Sequence, residues 1–165
     1  MKNTTLQFSF LFTVIIFISC KKQDAIVSPP VPETKLSYIS FTQDTIPITL
    51  SVTIARNESI GSLFTTTIEG QLPDSNVHQN NLTIRVTGDS ARAYLNTEIF
   101  ASYTDSLGIT YANAINDTIN KVILTKLQNI KQGIVEGNFT IRVSNTTKTQ
   151  TLLLTQGKFS TSFEE

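Results

Sequence analysis

The chain has 165 residues, with thirteen Lys or Arg against thirteen Asp or Glu, so its formal charge is zero. Its basic residues are scattered, which removes the clustered cationic surface that nucleic-acid binding by counterion release needs. Cys20 and His78 are the only residues of their kinds, which excludes an internal disulfide and the Cys/His ligand sets of ordinary zinc sites.

Taken in chain order, the first element is an apolar run. Lys2 precedes Leu6 to Ile18, and Ser19-Cys20 and Lys21-Lys22 follow. At about thirteen residues the run is shorter than the roughly 20 that cross a bilayer as a helix, but it suits the apolar region of a secretory signal. Ile18-Ser19-Cys20 resembles a lipobox, in which an aliphatic and a small residue precede the cysteine that is acylated before cleavage. Residues 1–19 are therefore expected to be a signal peptide, with Cys20 the lipidated first residue of the mature chain. Each buried methylene of an acyl chain contributes about 0.8 kcal/mol, so two or three chains hold a protein on its membrane. Lys21 stands where an Asp would favour inner-membrane retention, so the outer membrane is the expected location, with the leaflet left open.

Residues 20–36 carry Ser28-Pro29-Pro30-Val31-Pro32 and no sustained period. Proline favours polyproline II, which rises about 3.1 Å per residue, so this segment reads as a tether. Residues 37–165 are the right length for one domain with one core. Within it, Ile46 to Ile54 alternates apolar with small or polar residues, as one half-buried strand does, with Pro47 near its start or on an edge. Leu82, Ile84 and Val86 repeat the pattern, and so do Val135, Gly137, Phe139, Ile141 and Val143. Further strands are expected at 63–68, 98–103, 122–127 and 149–163, the last interrupted near Gln156-Gly157. Turns at 131–133 and 145–148 make the C-terminal third a three-stranded antiparallel meander. Residues 90–96 and 112–119 compete as short helices, without a sustained helical period. The expected fold is all-β, a single antiparallel β-sandwich or flattened barrel.

Three segments carry a resemblance: Val122-Ile123-Leu124-Thr125-Lys126-Leu127, Gly133 to Thr140, and Leu154-Thr155-Gln156-Gly157-Lys158-Phe159. Together they resemble the ending of a family of small Bacteroidota cell-envelope lipoproteins of unknown function, over roughly the last 45 residues. The resemblance implies a β-rich fold in the cell envelope and names no catalytic residue. On physical grounds, Gly137 in mid-strand marks a bulge or the close approach of a large side chain.

The chain offers little for catalysis. His78 lies in a polar loop, no Gly-x-Ser-x-Gly elbow accompanies it, and neither a phosphate-binding glycine loop nor a calcium loop is present. No catalytic residue, metal ligand or cofactor is assigned. Glu69, Glu98 and Glu136 fall on expected strands and leave open a dispersed carboxylate pair, the basis of a glycan-active hydrolase as the alternative function.

Four sequences join Asp, a hydroxyl residue and an apolar residue, with the hydroxyl at Thr45, Ser90, Ser106 and Thr118. They resemble the acceptor motif of the general O-glycosylation system of Bacteroidota. The competing reading is a turn in which Asp bonds the main chain before the next strand opens. Tyr94, Tyr103 and Tyr111 are candidates for stacking on a ligand such as a sugar ring, against the commoner use of tyrosine in a core. The expectation is a non-catalytic outer-membrane or surface lipoprotein, anchored through its lipid and offering edges or loops to a glycan or protein, with no nucleic-acid partner.

Overall fold

The computed structural model describes residues 36–73 and 79–164. The expected signal peptide, Cys20, the expected tether apart from Leu36, and His78 lie outside the described residues. The described chain is all-β. Its strands are β1 (Tyr38–Gln43), β2 (Ile46–Leu50), β3 (Val52–Ile60), β4 (Leu63–Gln71), β5 (Asn81–Thr87), β6 (Ala93–Leu95), β7 (Ile99–Thr104), β8 (Thr110–Asn113), β9 (Lys121–Leu127), β10 (Ile134–Asn145) and β11 (Thr151–Ser162). The one helical piece among the described residues is a single 3-10 turn at Asn96–Glu98.

All eleven strands belong to one sheet. Three positions in it are shared by two strands each. β6 and β7 are separated only by the 3-10 turn, β8 and β9 lie one after the other along the same side of β10, and β2 and β3 are separated only by Ser51. The sheet therefore has eight positions, each antiparallel to the next in sequence, and β1 pairs with β11. This is the order of an up-and-down barrel, and it fits the expected flattened barrel.

Closure depends on the bend at Ser51. Before it, β2 pairs with β1 (Ile39 opposite Leu50), and after it β3 pairs with β4 (Val52 opposite Gln71). Residues 46–54 are thus two strands rather than the one expected. The change of partner also changes the inward face: Leu50 is buried, Val52 is exposed, and Ala55 takes the next buried place. Pro47 lies opposite Thr42 on β2, an end strand of the sheet path, the kind of position at which strands accept proline. Below the bend the residues after β11 close the seam. Phe163 forms a parallel bridge with Ala55, the Glu164 N–H donates to the Ala55 carbonyl at 3.0 Å, and the Thr53 hydroxyl donates to that of Thr161 at 3.0 Å.

The two short helices expected at 90–96 and 112–119 are absent. The first segment is a loop leading into β6, and the second is β8 followed by turns. Between β8 and β9 the ladder is interrupted, and two asparagine amides take its place. Asn113 accepts from the Ala101 N–H (2.7 Å) and donates to the Ile99 carbonyl (3.0 Å). The buried Asn120 accepts from the Arg142 N–H (2.9 Å) and donates to the Ala114 carbonyl (3.0 Å). Main-chain groups that would otherwise be orphaned inside the sheet are satisfied this way.

The strand alternation sets the core. Leu82, Ile84 and Val86 of β5 and Val135, Phe139, Ile141 and Val143 of β10 are buried, and full burial of such a side chain contributes about 1.5–3 kcal/mol. A row of rings runs through the interior from Phe159 to Phe139 (6.4 Å between centroids), Phe41 (6.1 Å), Tyr103 (5.6 Å) and Tyr111 (6.3 Å). Eight strands enclose a space just wide enough for side chains or for one small ligand, and here the rings occupy it.

Two glycines admit this row. Gly137 lies opposite Phe159 and Phe139 opposite Gly157, so each ring covers the glycine across the ladder. A Cβ on Gly157 would meet the Phe139 ring at 2.6 Å, and one on Gly137 would meet the Ile123 carbonyl oxygen at 2.2 Å and the Phe159 ring at 2.5 Å. β9 has a register shift beside Gly137, so the bulge and the close approach occur together. The interruption expected near Gln156-Gly157 is a second bulge, and β11 continues through it with Gln156 at φ +53°.

These contacts rank two substitutions. Gly137→Ala pushes against main chain and should cost about 1–3 kcal/mol or more. Gly70→Ala meets the flexible end of Ile39 at 2.7 Å and should cost less. Urea unfolding of both variants checks the order, and equal losses would contradict the close packing at Gly137.

Candidate functional site

The Asp-hydroxyl turns are the best-defined polar features outside the core. Thr45, Ser90, Ser106 and Thr118 are all exposed. Three of the preceding aspartates are engaged with the main chain. Asp44, at φ +52° in the β1–β2 turn, accepts from the Leu153 N–H (3.2 Å) and donates its own N–H to the Leu153 carbonyl (3.0 Å). Asp105 accepts from the N–H groups of Leu107 and Ile109, both at 2.9 Å. Asp117 accepts from the Ile119 N–H at 3.0 Å and pairs with Arg142 at 3.2 Å. The turn reading therefore holds for Asp105 and Asp117, while Asp44 ties its turn across to β11. Each turn also presents its hydroxyl residue to solvent, so the two readings are compatible.

The tyrosines do not form a platform. Tyr94, Tyr103 and Tyr111 are buried, which corrects their assignment as exposed stacking residues. The Tyr94 ring lies on Gly88, where an added Cβ would fall 2.8 Å from it. Its hydroxyl donates to the Ser90 carbonyl (2.7 Å) and accepts from the Ser90 N–H (3.2 Å), an arrangement resembling a tyrosine corner. The Arg92 guanidinium covers the other face of the ring at 3.9 Å. Strand parity explains the rest: Ile99, Ala101 and Tyr103 of β7 point inward, while Phe100 points out, half-exposed under Arg85 at 4.9 Å.

Tyr103 and Tyr111 anchor a polar network at one end of the barrel. The Tyr103 hydroxyl donates to the Gln43 side-chain Oε1 at 2.8 Å. The Tyr111 hydroxyl lies 3.2 Å from Asp105 and 3.1 Å from the side-chain amide of Gln150. One phenol has one hydrogen. It therefore donates to only one at a time of the two oxygens it lies against, Asp105 Oδ2 and Gln150 Oε1. Burial, with Asp105 nearby, raises both phenols, and that of Tyr103 is pushed up to about 12.

The carboxylates considered for acid catalysis are engaged elsewhere. Arg56 binds Glu69 (2.8 Å) and, through two nitrogens, Glu164 (2.7 and 3.1 Å). The hydrogen bond from Arg56 holds Glu164 below the usual carboxylate range, the opposite of what a general acid needs. Glu98 belongs to the 3-10 turn rather than a strand, where it pairs with Arg92 at 2.6 Å and caps the Leu95 N–H at 3.1 Å. The Arg92 hydrogen bond and the Leu95 N–H lower its pKa. Glu136 accepts from the Ser160 hydroxyl at 3.4 Å. Among the described residues no three His, Cys, Asp or Glu side chains converge as metal ligands. Two open grooves, of about 460 Å³ along β3–β4–β5 and about 340 Å³ between β3 and residues 129–131, both border Arg56, whose charge is already answered.

No family model, curated protein or solved structure matches the chain.

The raised phenol sets an alkaline limit. Unfolded tyrosine ionises near 10, so the contribution of Tyr103 is fully present below pH 10 and is lost as pH rises toward about 12. In Tyr103→Phe, the slope of unfolding free energy against pH in that window should fall by about one proton's worth. Chemical unfolding at several pH values measures it, and an unchanged slope would contradict the assignment.

Proposed function

We propose that this chain is a non-catalytic lipoprotein of the outer membrane, held there through Cys20, and that its barrel is a binding or structural module working through its outer surface and loops. The observation that carries this reading is the ring row from Phe159 to Tyr111, which fills the space where a barrel of this size would hold a ligand. The signal-like run and Ile18-Ser19-Cys20 support the anchor. The likeness of the last 45 or so residues to Bacteroidota envelope lipoproteins supports the same location. The hydrolase reading gains nothing from the geometry, because Glu69 and Glu164 are both taken up as ion-pair partners of one guanidinium, that of Arg56. The ligand class this reading favours is a glycan or a protein.

In the same reading, at least one of Thr45, Ser90, Ser106 and Thr118 is O-glycosylated, and their exposure supports it. Intact mass spectrometry of protein from the native host's membranes tests both parts. Acyl mass on a chain starting at Cys20 should disappear in Cys20→Ala, whereas an unacylated chain that keeps Met1 would overturn the anchor. Replacing the four hydroxyl residues by Ala should remove any sugar mass while leaving thermal stability within about 0.5 kcal/mol, as exposed substitutions do. Native protein without added sugar mass would end the glycosylation reading alone.

A further inference from the structure

We propose that the end of the barrel where β1 begins rests against the lipid bilayer, with Leu63, Phe64 and Ile130 reaching its interfacial region. The proposal rests on the anchor at Cys20 and adds an orientation to it.

The β3–β4 hairpin is longer than the sheet around it. Its pairs continue to Ile60 opposite Leu63, while β5 stops at Thr87 opposite Thr65. The tip turns on Gly61-Ser62, with Gly61 at φ +64°, where glycine is strain-free. Leu63 and Phe64 lie beyond the last β5 pair and are about half exposed, at 51% and 45%. Ile130, in the turn between β9 and β10, is 68% exposed. The hairpin and this turn form one surface: the Asn57 amide donates to the Asn129 side-chain oxygen, and Phe64 lines a groove together with Asn129. Phe64 and Ile130 thus stand on tied turns, and Leu63 projects from the other face of the same hairpin tip.

The chain enters at this same end. β1 starts at Tyr38, opposite Ser160, within two residues of the Ile134–Ser162 pair that follows the β9–β10 turn. Leu36, just before it, is also exposed. Cys20 lies sixteen residues before Leu36, and sixteen residues at the polyproline rise reach at most about 50 Å. A lipid on Cys20 therefore keeps this end near the bilayer, where contact is intramolecular and weak apolar insertion is enough. Lys131, beside Ile130, has a stem that can lie along apolar surface while its ammonium stays among headgroups. At the opposite end, the exposed Ile46 and Leu107 directly follow the hydroxyl residues Thr45 and Ser106, so sugars there would face away from the membrane, whereas Asp89 shares the Phe64 groove, so this orientation disfavours a sugar on Ser90.

The chain has no tryptophan, so single substitutions give clean reporters. Acylated full-length Phe64→Trp, Ile130→Trp and Leu107→Trp are reconstituted separately into phosphatidylcholine–phosphatidylethanolamine vesicles with and without brominated phosphatidylcholine. Quenching should be severalfold stronger for Phe64→Trp and Ile130→Trp than for Leu107→Trp, and Leu63→Ser should weaken it. Equal quenching at both ends overturns the orientation while the anchor stands. Blue-shifted emission that grows with protein concentration and resists bromine would assign the surface to a second copy and overturn the proposal as well. Protein that carries acyl mass but shows no quenching at either end defeats only the docking, whereas protein that neither carries acyl mass nor floats with vesicles defeats the anchor beneath it.

Discussion

Closure of the sheet at Ser51 and at the Ala55–Phe163 bridge is the constraint on which the other features depend. The two ends of the sheet path, β2 and β3, are consecutive in the chain, so a single bend carries the sheet from one edge to the other. β2 then covers β1, while the residues after β11 cover the part of β3 that β1 does not reach. Gly70 contributes from across the interior, because its missing Cβ leaves room for Ile39 and Leu50. A closed antiparallel sheet exposes few strand edges to other chains.

Closure also decides where function can reside. The enclosed space is narrow, and rings laid over Gly137 and Gly157 use it. The polar residues that look reactive in the sequence instead serve the fold: Asp105 and Asp117 cap turns, Asp44 bonds across to β11, Asn113 and Asn120 mend the ladder, and Tyr94 ties its own loop. Arg56 with Glu164 adds a surface ion pair to the seam, and such exposed pairs are individually weak. The seam therefore depends mainly on the buried Phe163 and Ala55 and on the bond from Glu164 to Ala55.

Much of the architecture was legible in the residues. The alternation in β5 and β10 gave both strands and their inward faces, and Gly137 announced the bulge and its covering ring. The pattern from Ile46 to Ile54 misled because alternation reports a strand but not the ladder it joins, and a bend that changes partner also changes the inward face. β1 went unread because it is short and lies against the proline-rich segment, so its two inward residues, Ile39 and Phe41, made too brief a pattern. β6 and β8 have three and four residues, too few for a period to show, and they depend on contacts distant in sequence. The tyrosines were legible only by parity: Tyr103 shares a face with Ile99 and Ala101, which places it inside and Phe100 outside. Nothing in the sequence announced that Glu69 and Glu164 would meet on Arg56, since that contact exists only once the sheet has closed.

The fold is thus a self-contained barrel whose outward features, the Asp turns and the apolar tips of two loops, are what remain for encounters with other molecules. Residue-resolved hydrogen exchange tests the closure most directly. The Glu164 amide, bonded to the Ala55 carbonyl, should exchange with a protection approaching that of the β10 amides, because opening it would require the barrel to open. Exchange of Glu164 at the rate of a frayed end, while β10 stays protected, would contradict the account.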